Sequence, residues 1–327
     1  MRKIGMKKLL SLIIAAVCVI AGTSGCSAGS ATGGRKVLLC TYDLTDTFRN
    51  TFAEALKAAA TTEGATVEVY EGEATASDQV NRIKKAKSEG FSALVVQPID
   101  ASTALQLEVA AGGLPIVFVN NKPDDSVLKS NKYIYAGSNE TEAGELQAEW
   151  ALKKLGNPAS MNVVIFKGEQ GHSATIGRTK AVKYTLKDAG VEANYVFADY
   201  ASWSDEVAEK KMKTFLLTGQ KYDVVFCNND TMALGVVKAL KESGVDPKDV
   251  PVCGVDATKD GCASIANGEM SFTVFQNAKG QGEAAMKAAL RLAAGQSITS
   301  LEGATKNGLY VWVPFEPVDA SNVNSYK

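Results

Sequence analysis

The sequence predicts an α/β protein of two lobes, each a doubly wound parallel sheet. Three observations carry that prediction. Short runs such as "KVLLCTY", "SALVVQP" and "LPIVFVN" are apolar throughout, as strands covered on both faces must be. Segments of helical periodicity separate them, the alternation that builds a parallel sheet with helices on either side. The series runs to about Ala136 and then begins again, and the roughly 290 residues after the N-terminal segment exceed what one core serves.

The N-terminal segment is a sorting signal. Arg2, Lys3, Lys7 and Lys8 form a basic region, and Leu9–Ala21 an apolar one. About 13 residues fall short of the about 20 that span a bilayer. Thr23-Ser24-Gly25-Cys26 resembles the lipobox of bacterial lipoproteins, so residues 1–26 are expected to be a signal peptide with Cys26 acylated at the cleavage site. Ordinary secretory cleavage nearby is the alternative; both export the chain. Residues 27–36 are small, polar and glycine-rich, as a flexible tether should be.

Beyond the first strand, Phe48–Glu63 has helical spacing at Phe52, Leu56 and Ala59, and "ATVEVY" is the next strand. Ser77–Glu89 reads as a helix with Val80, Ile83 and Ala86 on one face. "SALVVQP", Ala101–Ala111 and "LPIVFVN" repeat the theme, followed by Lys132–Ala136. The second series has helices at Thr141–Leu155, Thr175–Ala189, Ser204–Thr218 and Met232–Ser243. Its strands are "MNVVIFKG", "ANYVFA", "YDVVFCNND" and "VPVCGVD".

With 35 basic against 36 acidic residues, no basic stripe points to nucleic acid. Cys40, Cys227, Cys253 and Cys262 are scattered and read as small core residues, without zinc-site spacing. No G-x-x-x-x-G-K-[ST] loop is present, so any ATP hydrolysis belongs to a partner.

Ligands of doubly wound sheets sit beyond the carboxyl ends of strands. There the sequence places Asp46, Phe48, Asn120, His172, Arg178, Trp203, Asn229, Asp256 and Gln276. Carboxylates and amides suit vicinal hydroxyls, a guanidinium suits hydroxyl oxygens, and aromatic faces suit the C–H face of a sugar ring. Each residue alone has a plainer role: Asp46 and Asn229 also suit helix caps, and Trp203 a core. His172 is the only histidine, in "VVIFKGEQGHSATIGR". A ligand donor, a satisfied turn residue and a catalytic or metal role are all open to it.

The stretches "VFVNNKP", "VIFKGEQGH" with Arg178, "ASWSDEVAEKKM", "NNDTMALGVVKAL", "VPVCGVDA" and "FTVFQNAKGQG" resemble the periplasmic sugar-binding proteins of ABC transporters. The resemblance spans roughly Val37–Phe315 and is nearest by motif to the galactose/glucose-binding members. It implies the type I periplasmic binding protein fold with a three-strand hinge. The lobes would be 37–138 plus 277–306, and 139–276 plus 307–327. Crossings are expected near Ser138–Glu140, Gln276–Asn277 and Asn307–Val311.

The resemblance also implies roles. Asp46 would accept from ring hydroxyls, and Phe48 and Trp203 would cover the two sugar faces. Asn120, Asn229 and Gln276 would give amide contacts, Asp256 would take a hydroxyl pair, and Arg178 and His172 would donate. The implied function is capture of a monosaccharide or related small sugar between the lobes and delivery to a membrane permease, by a monomer without cofactor or catalysis. A sugar sensor facing a chemoreceptor or kinase, or a binder of a non-hexose polyhydroxylated ligand, is the alternative.

Two departures from the pattern stand out. Two residues after its histidine, the galactose/glucose-binding relative has a carboxylate that pairs with the arginine; here that residue is Ala174. Arg178 is therefore expected to lack a partner, and the ligand to differ at that end: a glycoside, a sugar acid or another sugar. "LGNPASMN" also lacks the alternating Asp ligands of the relative's calcium loop, so no calcium is expected there.

Overall fold

A computed structural model describes residues 35–326. The signal segment, Cys26 and most of the tether lie outside the described residues. The first series comprises β1 (Lys36–Thr41), α1 (Thr47–Thr62), β2 (Thr66–Glu71), α2 (Ala76–Ala86), β3 (Ala93–Val96), α3 (Ala104–Ala110), β4 (Ile116–Phe118) and β5 (Tyr133–Gly137). The second comprises α4 (Glu140–Lys154), β6 (Ser160–Lys167), α5 (Ser173–Asp188), β7 (Glu192–Tyr200), α6 (Asp205–Leu216), β8 (Val224–Cys227), α7 (Asp230–Glu242), β9 (Val252–Cys253), α8 (Lys259–Ala266) and β10 (Phe272–Gln276). The chain ends with α9 (Ala278–Ala293), β11 (Tyr310–Trp312) and β12 (Phe315–Asp319).

Two six-stranded sheets result, ordered β11-β5-β4-β3-β1-β2 and β12-β10-β9-β8-β6-β7. Every pairing is parallel except β10 with β12. Strand order reverses beside β1 and beside β6, which opens a crevice at the carboxyl ends of the strands in each lobe.

The all-apolar strands feed a core on each face of each sheet. In β1, Val37 and Leu39 pack toward α1 and α9, while Leu38 and Cys40 pack toward the α2–α3 side. In β8, Val225 and Cys227 face one way and Val224 and Phe226 the other. Each fully buried side chain of this kind contributes about 1.5–3 kcal/mol, so the sheets are rigid platforms for what stands at their ends. All four cysteines at positions 40, 227, 253 and 262 are buried.

The chain passes between sheets after β5, after β10 and after β11. The third passage corrects the expected lobe boundary. Residues 307–312 do not belong with the second lobe, because β11 pairs in parallel with β5, Tyr310 opposite Tyr135 and Trp312 opposite Gly137. The crossing falls at Val313–Pro314, and only β12 returns to the second sheet. A three-residue strand next to a proline carries too weak a periodicity to reveal which sheet it joins.

Helix starts also move. α5 begins at Ser173 rather than Thr175, because the His172 ring caps it. α2 begins at Ala76, capped by Thr75, whose side chain accepts from Asp78 N–H.

Candidate functional site

In the first lobe, the turn after β1 presents Asp46 as the N-cap of α1. Its Oδ1 accepts from Arg49 N–H at 2.9 Å. Burial raises its carboxyl pKa, with Arg49 and the backbone hydrogen bond opposing. Phe48 and Arg49 are buried on the first turn. Past β4, Asn120 adopts φ 58°, a left-handed conformation that asparagine tolerates, and its Oδ1 accepts from Gln97 Nε2 at 2.8 Å.

In the second lobe, His172 caps α5. Its Nδ1 accepts from Ala174 N–H at 3.2 Å, so the ring proton sits on Nε2, which donates to Asn120 Oδ1 at 3.2 Å. Burial pushes the imidazole pKa well below its usual value, and the Arg49 and Arg178 charges push the same way. The ring is neutral, with both nitrogens satisfied by protein. It lines the cavity as a lobe-to-lobe link, a function the sequence did not suggest.

Arg178 has partners, contrary to the expectation drawn from Ala174. Its Nε donates to Glu140 Oε2 at 2.7 Å, Nη1 to Asn228 O at 2.6 Å, and Nη2 to Gln276 Oε1 at 2.8 Å. Asp256 Oδ1 lies 3.8 Å away. Burial works against the guanidinium charge, but Glu140 and Asp256 outweigh it and the pKa rises.

Trp203, in the loop between β7 and α6, has φ 66° and stands edge-on to His172 at 5.3 Å between ring centroids. Gly168 makes room for it: a Cβ there would meet the indole Cη2 at 2.1 Å. Asn229 caps α7, its Oδ1 accepting from Met232 N–H at 3.0 Å. Asp256 follows β9 with φ 118°, and burial pushes its pKa well up against the pull of Arg178.

All nine residues line one cavity, together with Arg49 and Ala174. Three of the nine, Asp46, His172 and Asn229, thus serve as helix caps as well. Arg49, Glu140 and Asn228 were not anticipated. Arg49 follows Phe48 directly and lies one helical turn after Asp46, which was the available signal. Glu140 meets Arg178 only through the packing of α4 on α5, which no local pattern encodes.

The site has unmet hydrogen-bonding capacity. Among the described residues none donates a hydrogen bond to the Asp256 carboxylate, and Trp203 Nε1 is buried without an acceptor. The side-chain N–H groups of Asn229 and Gln276 face the same cavity with their oxygens already engaged. Buried polar groups left this way cost about 1–3 kcal/mol each, which a ligand bearing hydroxyls at matching positions would recover.

Direct bonds close the lobes over this cavity. Glu169 takes Arg49 Nη2 at 3.0 Å and Tyr42 Oη at 3.1 Å. Ser173 N–H donates to Asn121 Oδ1 at 2.9 Å, and Ser173 Oγ accepts from Lys122 N–H at 2.7 Å.

Residues 37–297 match the profile of the periplasmic binding protein domain. The chain belongs to the periplasmic binding protein family. This binding protein is 30% identical over 327 residues to a putative rhizopine-binding protein of Rhizobium meliloti, covering 98% of this chain and 99% of the relative. It is 27% identical over 335 residues to a D-galactose/methyl-galactoside binding periplasmic protein of Haemophilus influenzae, covering 98% and 99%. Among solved structures, an ABC transporter solute binding protein of Bacillus halodurans with bound myo-inositol superimposes with TM-score 0.78 at 28% identity. That match covers 90% of this chain and 98% of the other.

Proposed function

We infer that the protein captures one small polyhydroxylated ring, a monosaccharide or cyclitol, between its lobes and delivers it to an ABC permease. The observation that carries this is the cavity itself. The Asp46 and Asp256 carboxyl groups, three amides and two aromatic side chains, Phe48 and Trp203, drawn from both lobes line one cavity, the set of acceptors, donors and ring faces that a hydroxylated ring calls for. A galactose/methyl-galactoside-binding relative and a myo-inositol-bound structure belong to the same ligand class. Lobe closure couples to capture because the ligand touches both lobes only when they meet.

Arg178 already holds Glu140, Asn228 O and Gln276, so a sugar acid would find no unpaired cation; the reading favours an uncharged ligand. Export, a lipid anchor at Cys26, a monomeric state and the absence of catalysis complete the reading. The Asp46 and Asp256 carboxylates serve as hydroxyl acceptors in it.

Thermal unfolding against myo-inositol, D-galactose, D-ribose, D-allose and xylitol tests it. Ligand at about 1,000 times Kd adds about 4 kcal/mol, and each kcal/mol raises Tm by about 2–4 °C. A rise with at least one of these is expected; none with any would overturn the function.

A further inference from the structure

Asp256 and Ala257 are consecutive non-glycine residues with positive φ, 118° and 50°. The first value lies outside even the small left-handed region open to L-residues. Backbone of this kind persists only where its surroundings over-determine it, and it concentrates at ligand sites.

The surroundings here converge on one wholly buried side chain that does not line the cavity, Asp230. Thr258 N–H donates to its Oδ2 at 2.8 Å, and Thr258 Oγ1 donates to the same atom at 3.3 Å. Thr273 Oγ1 donates to its Oδ1 at 2.6 Å and accepts from Ala257 N–H at 3.2 Å. One carboxyl group thus holds the amides of both residues that follow Asp256, one directly and one through a hydroxyl. The Asp230 backbone N–H also donates to Val255 O at 2.8 Å, which fixes the residue before. Gly254 and Gly261 make room for the arrangement: a Cβ at either would collide with an Asp230 carboxyl oxygen. All of these residues belong to the second lobe, so the turn is set before the lobes close.

We propose that Asp230 is the positioning residue for Asp256: its carboxyl group clamps the strained turn and so keeps the Asp256 carboxyl available to the ligand. The Asp256 carboxyl stands 3.8 Å from Arg178 Nη1, too far for a hydrogen bond. A relaxed turn would let it move onto the guanidinium and form a charge-assisted pair, which takes an acceptor away from the ligand. Holding the acceptor in place beforehand also spares the ordering cost on binding.

The effect on affinity rests on the polyol reading above; the clamping of the turn does not. Titration calorimetry with myo-inositol and D-galactose reads the first. D230A should bind about five-fold more weakly, and no more weakly than D256N. In D230A/D256N that loss should vanish, because both changes remove the same contact, whereas a role in core stability alone would act independently of Asp256. D230N keeps an acceptor for Thr258 N–H and a donor for Thr273 Oγ1, so it should recover most of the loss. Thermal unfolding verifies that each variant is folded, and G261A, whose added methyl displaces the carboxyl group, replaces D230A if that variant is not. Unchanged affinity, or a loss that persists in the D256N background, overturns the positioning role.

Hydrogen exchange in ligand-free protein reads the clamp itself. The Ala257 amide bonds to Thr273 and not to Asp230, so it responds to D230A only if the turn relaxes. It should exchange about five-fold faster relative to the Val225 amide, which bonds to Pro251 O in the same lobe. An unchanged ratio overturns the proposal. Binding of neither probe by wild-type protein counts against the polyol reading, and the exchange ratio then decides the clamp alone.

Discussion

Asn120 and His172 meet across the lobe boundary, with Oδ1 and Nε2 3.2 Å apart. The same imidazole caps α5 through Nδ1. One side chain therefore fixes a helix start in the second lobe and holds the first lobe against it. A neutral ring is required for both contacts; burial keeps it neutral, and the Ala174 N–H donor sets the tautomer.

The two duties of His172 can be separated. Asparagine is a good N-cap but too short to reach Asn120, so H172N should keep ligand-free stability within about 0.5 kcal/mol. Its ligand affinity should fall about five-fold, the worth of one neutral hydrogen bond. H172A should lose affinity and also about 1 kcal/mol of stability. Denaturant unfolding and calorimetry measure the two quantities.

Asp256 is stabilised by little except Arg178 at 3.8 Å, yet it faces the cavity. D256N should therefore leave ligand-free stability unchanged or raise it. The same change should weaken ligand binding about five- to ten-fold, the range of one hydrogen bond. Loss of stability in D256N together with unchanged affinity would contradict the assignment.

Glu169 joins Arg49 and Tyr42 across the cleft. Its side chain is 30% exposed, so the pair is worth about 1 kcal/mol or less. E169Q should shift the ligand-free protein toward the open form, visible as a larger radius of gyration in X-ray scattering. Ligand release should quicken about three- to five-fold.

Asp230 lies wholly buried behind the cavity, accepting from Thr273 Oγ1 at 2.6 Å and Thr258 N–H at 2.8 Å. Burial raises its pKa from 3.8 to about 7. The folded state therefore holds this proton more tightly than the unfolded chain. Its contribution is fully present below pH 4 and is lost as pH climbs through 7, on the order of a few kcal/mol. His172 acts oppositely: with its pKa lowered from 6.5, it costs stability as pH falls below that value. D230N should remove the decline between pH 4 and 7 and leave the histidine's trend, as read by Tm at several pH values.

The alternation of apolar strands and amphipathic helices is local, and it sufficed to indicate two doubly wound lobes and the strand ends that face the cleft. Asp46, Asn229 and Asp256 were legible for that reason: each stands within five residues of the end of a recognisable strand. What the sequence could not reveal depends on partners far apart in the chain. Ala174 alone implied an unpaired Arg178, but the packing of α4 on α5 brings Glu140 to within 2.7 Å of it. Likewise β11 joins the first sheet because its backbone finds β5, 175 positions earlier at Tyr310 and Tyr135, and its three residues carry no pattern of their own. Periodicity determines which segments are strands and helices, because burial of one face acts within a few residues. Which donor meets which acceptor is decided only when the sheets stack their ends together, since a buried charge takes the nearest partner in space.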